Sequence, residues 1–273
     1  MSEGYQALRE TAAWLDLSTR GRIIARGRDR TRLLHNLTSN DIKKMVPGDS
    51  CYAFLLNPQG RIQADLHLLC LADYFLLDTE PDLREKVHQL IRRYIIADQV
   101  ELEDVTATTV SIGVEGPSSP SLASGDFTIT PFTVTGQPGY RVYCSPEAKP
   151  GIIHQLESLG VKAATADDAR IIRIENGKPR YGDDIRDSTL PQETGQMHAV
   201  SFTKGCYLGQ EIVERIRSQG RVHKQLLRVE LQGADPPAPG TKLTVNGSEA
   251  EITSAVYSPH FGKVIALAYC RVG

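Results

Sequence analysis

Lys204-Gly205-Cys206-Tyr207-Leu208-Gly209-Gln210-Glu211 sets a thiol between two glycines, just ahead of a helical pattern. Gly205 and Gly209 leave the backbone around Cys206 free to turn tightly. Beyond them Ile212, Val213 and Ile216 recur at helical spacing, while Glu211, Glu214, Arg215 and Arg217 fall mostly on other faces. Gly220 supplies a helix stop. Cys206 is therefore expected at or just before a helix N-terminus, with Lys204 two residues away. The helix dipole and a nearby cation both favour a thiolate over a thiol. The same residues also allow the plainer reading of a small buried hydrophobe, the usual fate of a free cysteine.

Around this stretch the chain reads as a soluble globular protein. Its 273 residues are 40% hydrophobic and 23% charged, a length that suits two or three domains. A net charge of −2 argues against a general nucleic-acid binder. Arg20, Arg22, Arg26, Arg28, Arg30 and Arg32 face only Asp29 in their window, as a solvated face or as an anion-attracting rim. Cys51, Cys70, Cys144, Cys206 and Cys270 are scattered, and no C-x-x-C pair offers a metal or cluster site. That usage fits a reducing cytoplasm. The polar N-terminus is not of signal-peptide type, and no apolar run is long enough for a bilayer. The histidines show no metal-ligand spacing, so no metal is expected.

The pattern along the chain mixes strands and helices without the regular alternation of a parallel sheet. Arg22–Ala25 reads as a strand, and Asp29 as the N-cap of a helix carrying Leu33, Leu34 and Leu37. Cys51–Leu56 and the alternating Ile62, Ala64, Leu66 and Leu68 read as paired strands about the turn Asn57-Pro58-Gln59-Gly60. Tyr74–Leu77 adds a strand, and a helix with Pro81 in its first turn follows. Strands come next at 100–105 and 109–114, then at 127–134 and 140–144, and a helix near 152–159. Thr165 caps a helix with Asp167 and Asp168 in its first turn. From Leu226 onward the chain is strand-like, with a tight hairpin at Asn246-Gly247. The fold class is α+β with a β-rich terminal part.

The run Val200 to Glu211 resembles the signature of the YgfZ-type folate-binding proteins, relatives of mitochondrial factors that help mature iron–sulfur proteins. The likeness extends along the chain to the wider family of the glycine cleavage T-protein (GcvT), the aminomethyltransferase. Arg26-Gly27-Arg28-Asp29 with Thr38-Ser39-Asn40-Asp41 is similar to that family's opening, and Gly60-Arg61-Ile62-Gln63-Ala64-Asp65 to its acid-bearing stretch. Arg173-Ile174-Glu175-Asn176-Gly177, Tyr181-Gly182-Asp183-Asp184 and Pro191-Gln192-Glu193 resemble its pterin-binding region. The resemblance implies three domains around a folate-sized hole. Residues 1–47 and 123–222 would form a discontinuous α+β folate-binding domain, 48–122 an inserted α+β domain, and 223–273 a C-terminal β-barrel.

By the same resemblance Glu175 accepts the paired N–H donors of a pterin edge, a task suited to a carboxylate. Asp65 stands where an acid assists methylene transfer, although Ala64 replaces one of two adjacent acids. Within the signature, Cys206 is the candidate reactive group. Lys204 tunes it or meets an anionic cofactor tail, Tyr207 is a stacking wall or a core aromatic, and Gln210 and Glu211 cap local donors. The basic run Arg215, Arg217, Arg221, His223, Lys224 suits a polyglutamate tail or a solvated helix face. The implied function is tetrahydrofolate binding that assists maturation or repair of iron–sulfur enzymes, with client or assembly proteins as partners. The alternative is a folate-dependent aminomethyltransferase or demethylase.

Overall fold

The computed structural model describes residues 1–220 and 222–272. In chain order the elements are α1 (Glu3–Glu10), β1 (Ala13–Asp16), β2 (Gly21–Arg26), α2 (Arg30–Leu37), β3 (Ser50–Leu56), β4 (Ile62–Cys70) and β5 (Tyr74–Thr79). A 3-10 turn at Pro81–Leu83 leads into α3 (Arg84–Arg92), β6 (Glu101–Asp104), β7 (Val110–Glu115), β8 (Phe127–Thr130) and β9 (Gly139–Cys144). Then come α4 (Lys149–Ser158), β10 (Lys162–Ala163), α5 (Ala166–Glu175), two further 3-10 turns, and α6 (Gln210–Gln219). The chain closes with β11 (Lys224–Leu231), β12 (Lys242–Val245), β13 (Ser248–Ser258) and β14 (Lys263–Arg271). It divides into two compact units: Met1–Thr19 with Thr108–Asp184 and Leu226–Val272, and Arg20–Ala107 with Ile185–Gln225.

The unit holding Arg20–Ala107 is built on an antiparallel sheet in the order β3-β4-β5-β2-β6. Side chains alternate between its faces. Ala53, Leu66, Leu68, Leu77, Ile23 and Ala25 are all buried apolar residues on one face. The register on the other face aligns Tyr52 with His67, His67 with Asp78, and Asp78 with Arg22. Helix α2 buries Leu33, Leu34 and Leu37, and α3 buries Val87 and Ile91. Asp29 does precede α2, but its side chain makes no cap; its Oδ2 accepts from the Gln99 N–H at 2.8 Å, so it ties down a loop.

The turn between β3 and β4 sets where α6 begins. Asn57 Oδ1 accepts from the backbone N–H groups of Gln59 and Arg61, closing the turn. Gly209, at φ 83, caps α6 so close to this turn that an added Cβ would lie 2.5 Å from the Asn57 carbonyl oxygen. Gly60, at φ 72, would likewise collide with the Ile212 side chain. Glycine at both positions lets the signature stretch lie against the hairpin.

In the other unit β10-β1-β7-β9-β8 form a sheet whose core takes in Ile152 and Leu156 of α4. α1 packs on α5 through Tyr5, Leu8 and Ile172. Neither α1 nor β1 was expected from the pattern: the helix is polar apart from a short stripe at Tyr5, Ala7 and Leu8. The C-terminal strands run β11-β14-β13-β12, a half-barrel sheet with β11 and β12 at its edges. Ile174 of α5 packs with Leu226, Val256, Ile265 and Leu267 of that sheet. Asn246 (φ 49) and Gly247 (φ 80) make the expected tight hairpin. The Thr165 capping box with Asp168 is formed as well.

Candidate functional site

The polar face of the β3-β4-β5-β2-β6 sheet gathers charge that an ordinary core would exclude. Arg20 donates through Nε to Asp78 at 2.6 Å and through Nη1 to Glu80, so two carboxylates share one guanidinium. Arg20, Arg22, Asp78 and Asp65 are all buried. Asp65 Oδ2 accepts from the Tyr52 hydroxyl at 2.8 Å, while Oδ1 is buried with no hydrogen-bond partner among the described residues. Burial pushes the Asp65 carboxyl up to about 6; Glu80 adds to the rise, and Arg20 and the Tyr52 hydroxyl oppose it. A carboxylic acid poised near neutrality with one unused oxygen can take or give a proton.

Tyr52 is held on both sides. Its ring lies 4.9 Å from that of His67 and stacks on His198 at 5.5 Å. Asn40 Nδ2 donates to the carbonyls of both Tyr52 and His198. Burial, and then Asp65, push the Tyr52 hydroxyl well above its ordinary value, so it stays a donor. Ala64 pairs with Leu55 and is fully buried among apolar neighbours. Adjacent strand residues point to opposite faces, so an acid at position 64 would not have joined Asp65.

The signature stretch is shaped around Lys204. Its ammonium donates to the carbonyls of His35, of Thr38 at 2.6 Å and of Asn40 at 2.7 Å, closing the C-terminal end of α2 and the turn after it. Burial draws Lys204 down to about 8, with Asp41 and Cys51 acting against the fall. Lys204 Nζ lies 5.0 Å from the centre of the Tyr207 ring. Tyr207 is buried and its hydroxyl has no hydrogen-bond partner among the described residues; burial, then Glu214, raise it to about 12. Cys206 is exposed, four residues ahead of Gln210, the first residue of α6. It therefore lies before the helix start rather than in its first turn. Gln210 Oε1 accepts from the Tyr207 N–H at 3.3 Å, and Glu211 pairs with Arg215 at 2.9 Å.

Glu175 lies in the other unit at the end of α5, with a fully buried side chain. Its Oε1 accepts from the Tyr5 hydroxyl at 2.6 Å and from the Ser258 hydroxyl, and its Oε2 from Arg9 at 3.1 Å. Both oxygens already have donors. Arg173 pairs with Asp183 and Asp184 at 2.7 Å each, and Asp184 also accepts from the hydroxyls of Thr253 and Ser254. These pairs tie α5 to β13.

The arginines of 20–32 have local partners. Arg26 lies over the Tyr74 ring at 4.7 Å, Arg32 pairs with Asp98 at 2.6 Å, and Arg30 donates to the carbonyls of Gly27 and Ala72. In the later basic run Arg217 packs over Phe202, and Arg221 lies outside the described residues. Tyr52, Arg20 and Glu80 are the site residues that sequence reading missed. The alternation Gln63, Asp65, His67 marks a polar face of β4, but Arg20 and Glu80 lie just outside the strands and carry no such signal.

Residues 1–131 match the family model described as the GCVT N-terminal domain. The aminomethyltransferase of Rubrobacter xylanophilus is 27% identical over 289 residues, covering 97% of this chain and 77% of the relative. The aminomethyltransferase of Nostoc sp. is 25% identical over 97% of this chain and 78% of its own length. The crystal structure of glycine cleavage system aminomethyltransferase T from Bartonella henselae matches with a TM-score of 0.86, at 20% identity, over 98% of this chain and 81% of that one. The chain thus has the mixed α/β fold of that aminomethyltransferase, and these matches support the GcvT family. Among the described residues no helix is long and apolar enough to cross a membrane.

Proposed function

We propose that this protein binds tetrahydrofolate and acts on a one-carbon unit carried by it, in the manner of the aminomethyltransferases it resembles. The observation that carries the reading is Asp65, buried, near neutrality, and with Oδ1 unused. Bound tetrahydrofolate would supply the nitrogens that take up the carbon. Asp65 exchanges a proton with such a nitrogen, and the Arg20, Asp78 and Glu80 group fixes the field around it. Glu175 takes the pterin edge in this reading, with Arg9 as the donor that gives way because it alone of the three partners is partly exposed. The three-domain layout about a folate-sized hole, closure of the half-barrel and a cytoplasmic location belong to the same reading. Calorimetry with tetrahydrofolate tests it: saturable binding at one site per chain is expected, and no heat at high micromolar folate rejects it.

A second reading rests on Cys206. Its thiol is exposed within a stretch that resembles the YgfZ-type signature, which favours a folate-linked role in maturing or repairing iron–sulfur enzymes. Such a thiol could attack a one-carbon unit and displace the folate nitrogen, ligate iron transiently, or take the outer sulfur of a partner's persulfide and leave that partner a thiol. Lys204, Tyr207 and Gln210 then serve as the frame that presents it, and Glu211 as a charge at the helix start. Activity of an iron–sulfur client enzyme in a deletion strain, restored by the wild type but not by Cys206→Ser, supports this role. Full restoration by the variant removes it.

A further inference from the structure

Asp65 has two oxygens in unlike surroundings, and the difference comes from one side chain. The Tyr52 hydroxyl donates to Oδ2, and Oδ1 has no partner among the described residues. Tyr52 has little freedom to do otherwise. Rings flank it on both sides, Phe54 meets it edge-on at 5.4 Å, and Asn40 holds its backbone carbonyl. The backbone of Asp65 is fixed as well, because its carbonyl accepts from Thr79 Oγ1 at 2.8 Å. Arg20, the cation that opposes the rise of the Asp65 carboxyl, is committed to Asp78 and Glu80.

We infer that Tyr52 is a positioning residue for the proposed reaction, pinning Oδ2 of Asp65 so that Oδ1 is the oxygen that exchanges a proton with the ligand. This deepens the folate reading and rests on it. The groups facing Asp65 are Tyr52 from β3, Glu80 after β5 and Arg20 before β2, with His67 and His198 reaching it through the Tyr52 ring. A hydroxyl that donates to a carboxylate favours the ionised form. Without it, Asp65 holds its proton to higher pH and turns more freely about its side-chain torsions.

The test is Tyr52→Phe, which keeps the ring and its stacking. The Asp65 carboxyl is titrated by carbon NMR in folate-free protein bearing labelled aspartate, with Asp65→Asn used to assign the signal. Its midpoint is expected to rise above that of the wild type. The acidic limb of the pH–rate profile for one-carbon transfer should move the same way, with kcat falling about tenfold to a hundredfold and KM little changed. An unshifted carboxyl midpoint overturns the inference whether or not the protein proves to be a transferase. A shifted midpoint with no transfer by the wild type keeps the pairing and rejects the folate reading instead. Should Tyr52→Phe fail to fold, His198→Ala frees one side of the ring from an exposed position, and an unshifted Asp65 there also overturns it.

Discussion

Asp65 shows what burying a carboxyl costs a fold. Its carboxyl is raised from an ordinary 3.8 to about 6 because ionising it in a buried site beside Glu80 is unfavourable. An acid whose folded value is raised stabilises the fold fully below its unfolded value, and that contribution is lost as pH rises through the folded value. The window here runs from near 4 to about 6. Two units correspond to about 3 kcal/mol. Asp65→Asn is therefore expected to be more stable than the wild type at pH 8 by up to that amount, with the gain shrinking toward pH 4. Urea melts at both values check it, and equal gains at the two would refute the assignment. For Glu175→Gln the expectation is weaker tetrahydrofolate binding by about 1.5–3 kcal/mol, the scale of a charge-assisted hydrogen bond. Unchanged affinity by calorimetry removes Glu175 from the ligand site.

At the scale of elements, the signature stretch is a brace as much as a display. Lys204 satisfies three carbonyls at and beyond the end of α2, where helix carbonyls lack intrahelical donors. Lys204→Met would leave all three unpaired, the Thr38 carbonyl buried and the other two partly so, and is expected to destabilise the protein by about 3 kcal/mol. Chemical denaturation measures this, and a loss under 1 kcal/mol would mean that water replaces the ammonium. The strands β3 and β4, the capped helix α5 and the hairpin at Asn246-Gly247 were legible because each is set by local periodicity or turn chemistry. α1 was not legible, since its apolar stripe is short and its helix is held by packing on α5. Asp29 looked like a cap because the sequence does not show that Gln99 competes for its carboxylate.

Across the whole molecule, the candidate site residues fall in both units. Asp65 and Cys206 belong to the one built on Arg20–Ala107, and Glu175 to the other. The sequence named all three by resemblance, but it could not supply Tyr52, Arg20 or Glu80. Their partnership with Asp65 arises from strand register and from a buried ion cluster, neither of which has a linear spacing. Cys206 is separable from Asp65 in this account. Cys206→Ser, a change at an exposed position, is expected to leave tetrahydrofolate affinity unchanged while abolishing rescue of an iron–sulfur client. An affinity loss of tenfold or more in that variant would merge the two roles.

The most direct measurement is the conversion of tetrahydrofolate to methylene-tetrahydrofolate from a donor that carries a thiol-bound aminomethyl group, with ammonia and the free donor thiol released, followed for the wild type, Asp65→Asn and Cys206→Ser in parallel. The account predicts product from the wild type and from Cys206→Ser, and a fall of at least a hundredfold in Asp65→Asn. No product from any of the three, or equal rates from all, would contradict it.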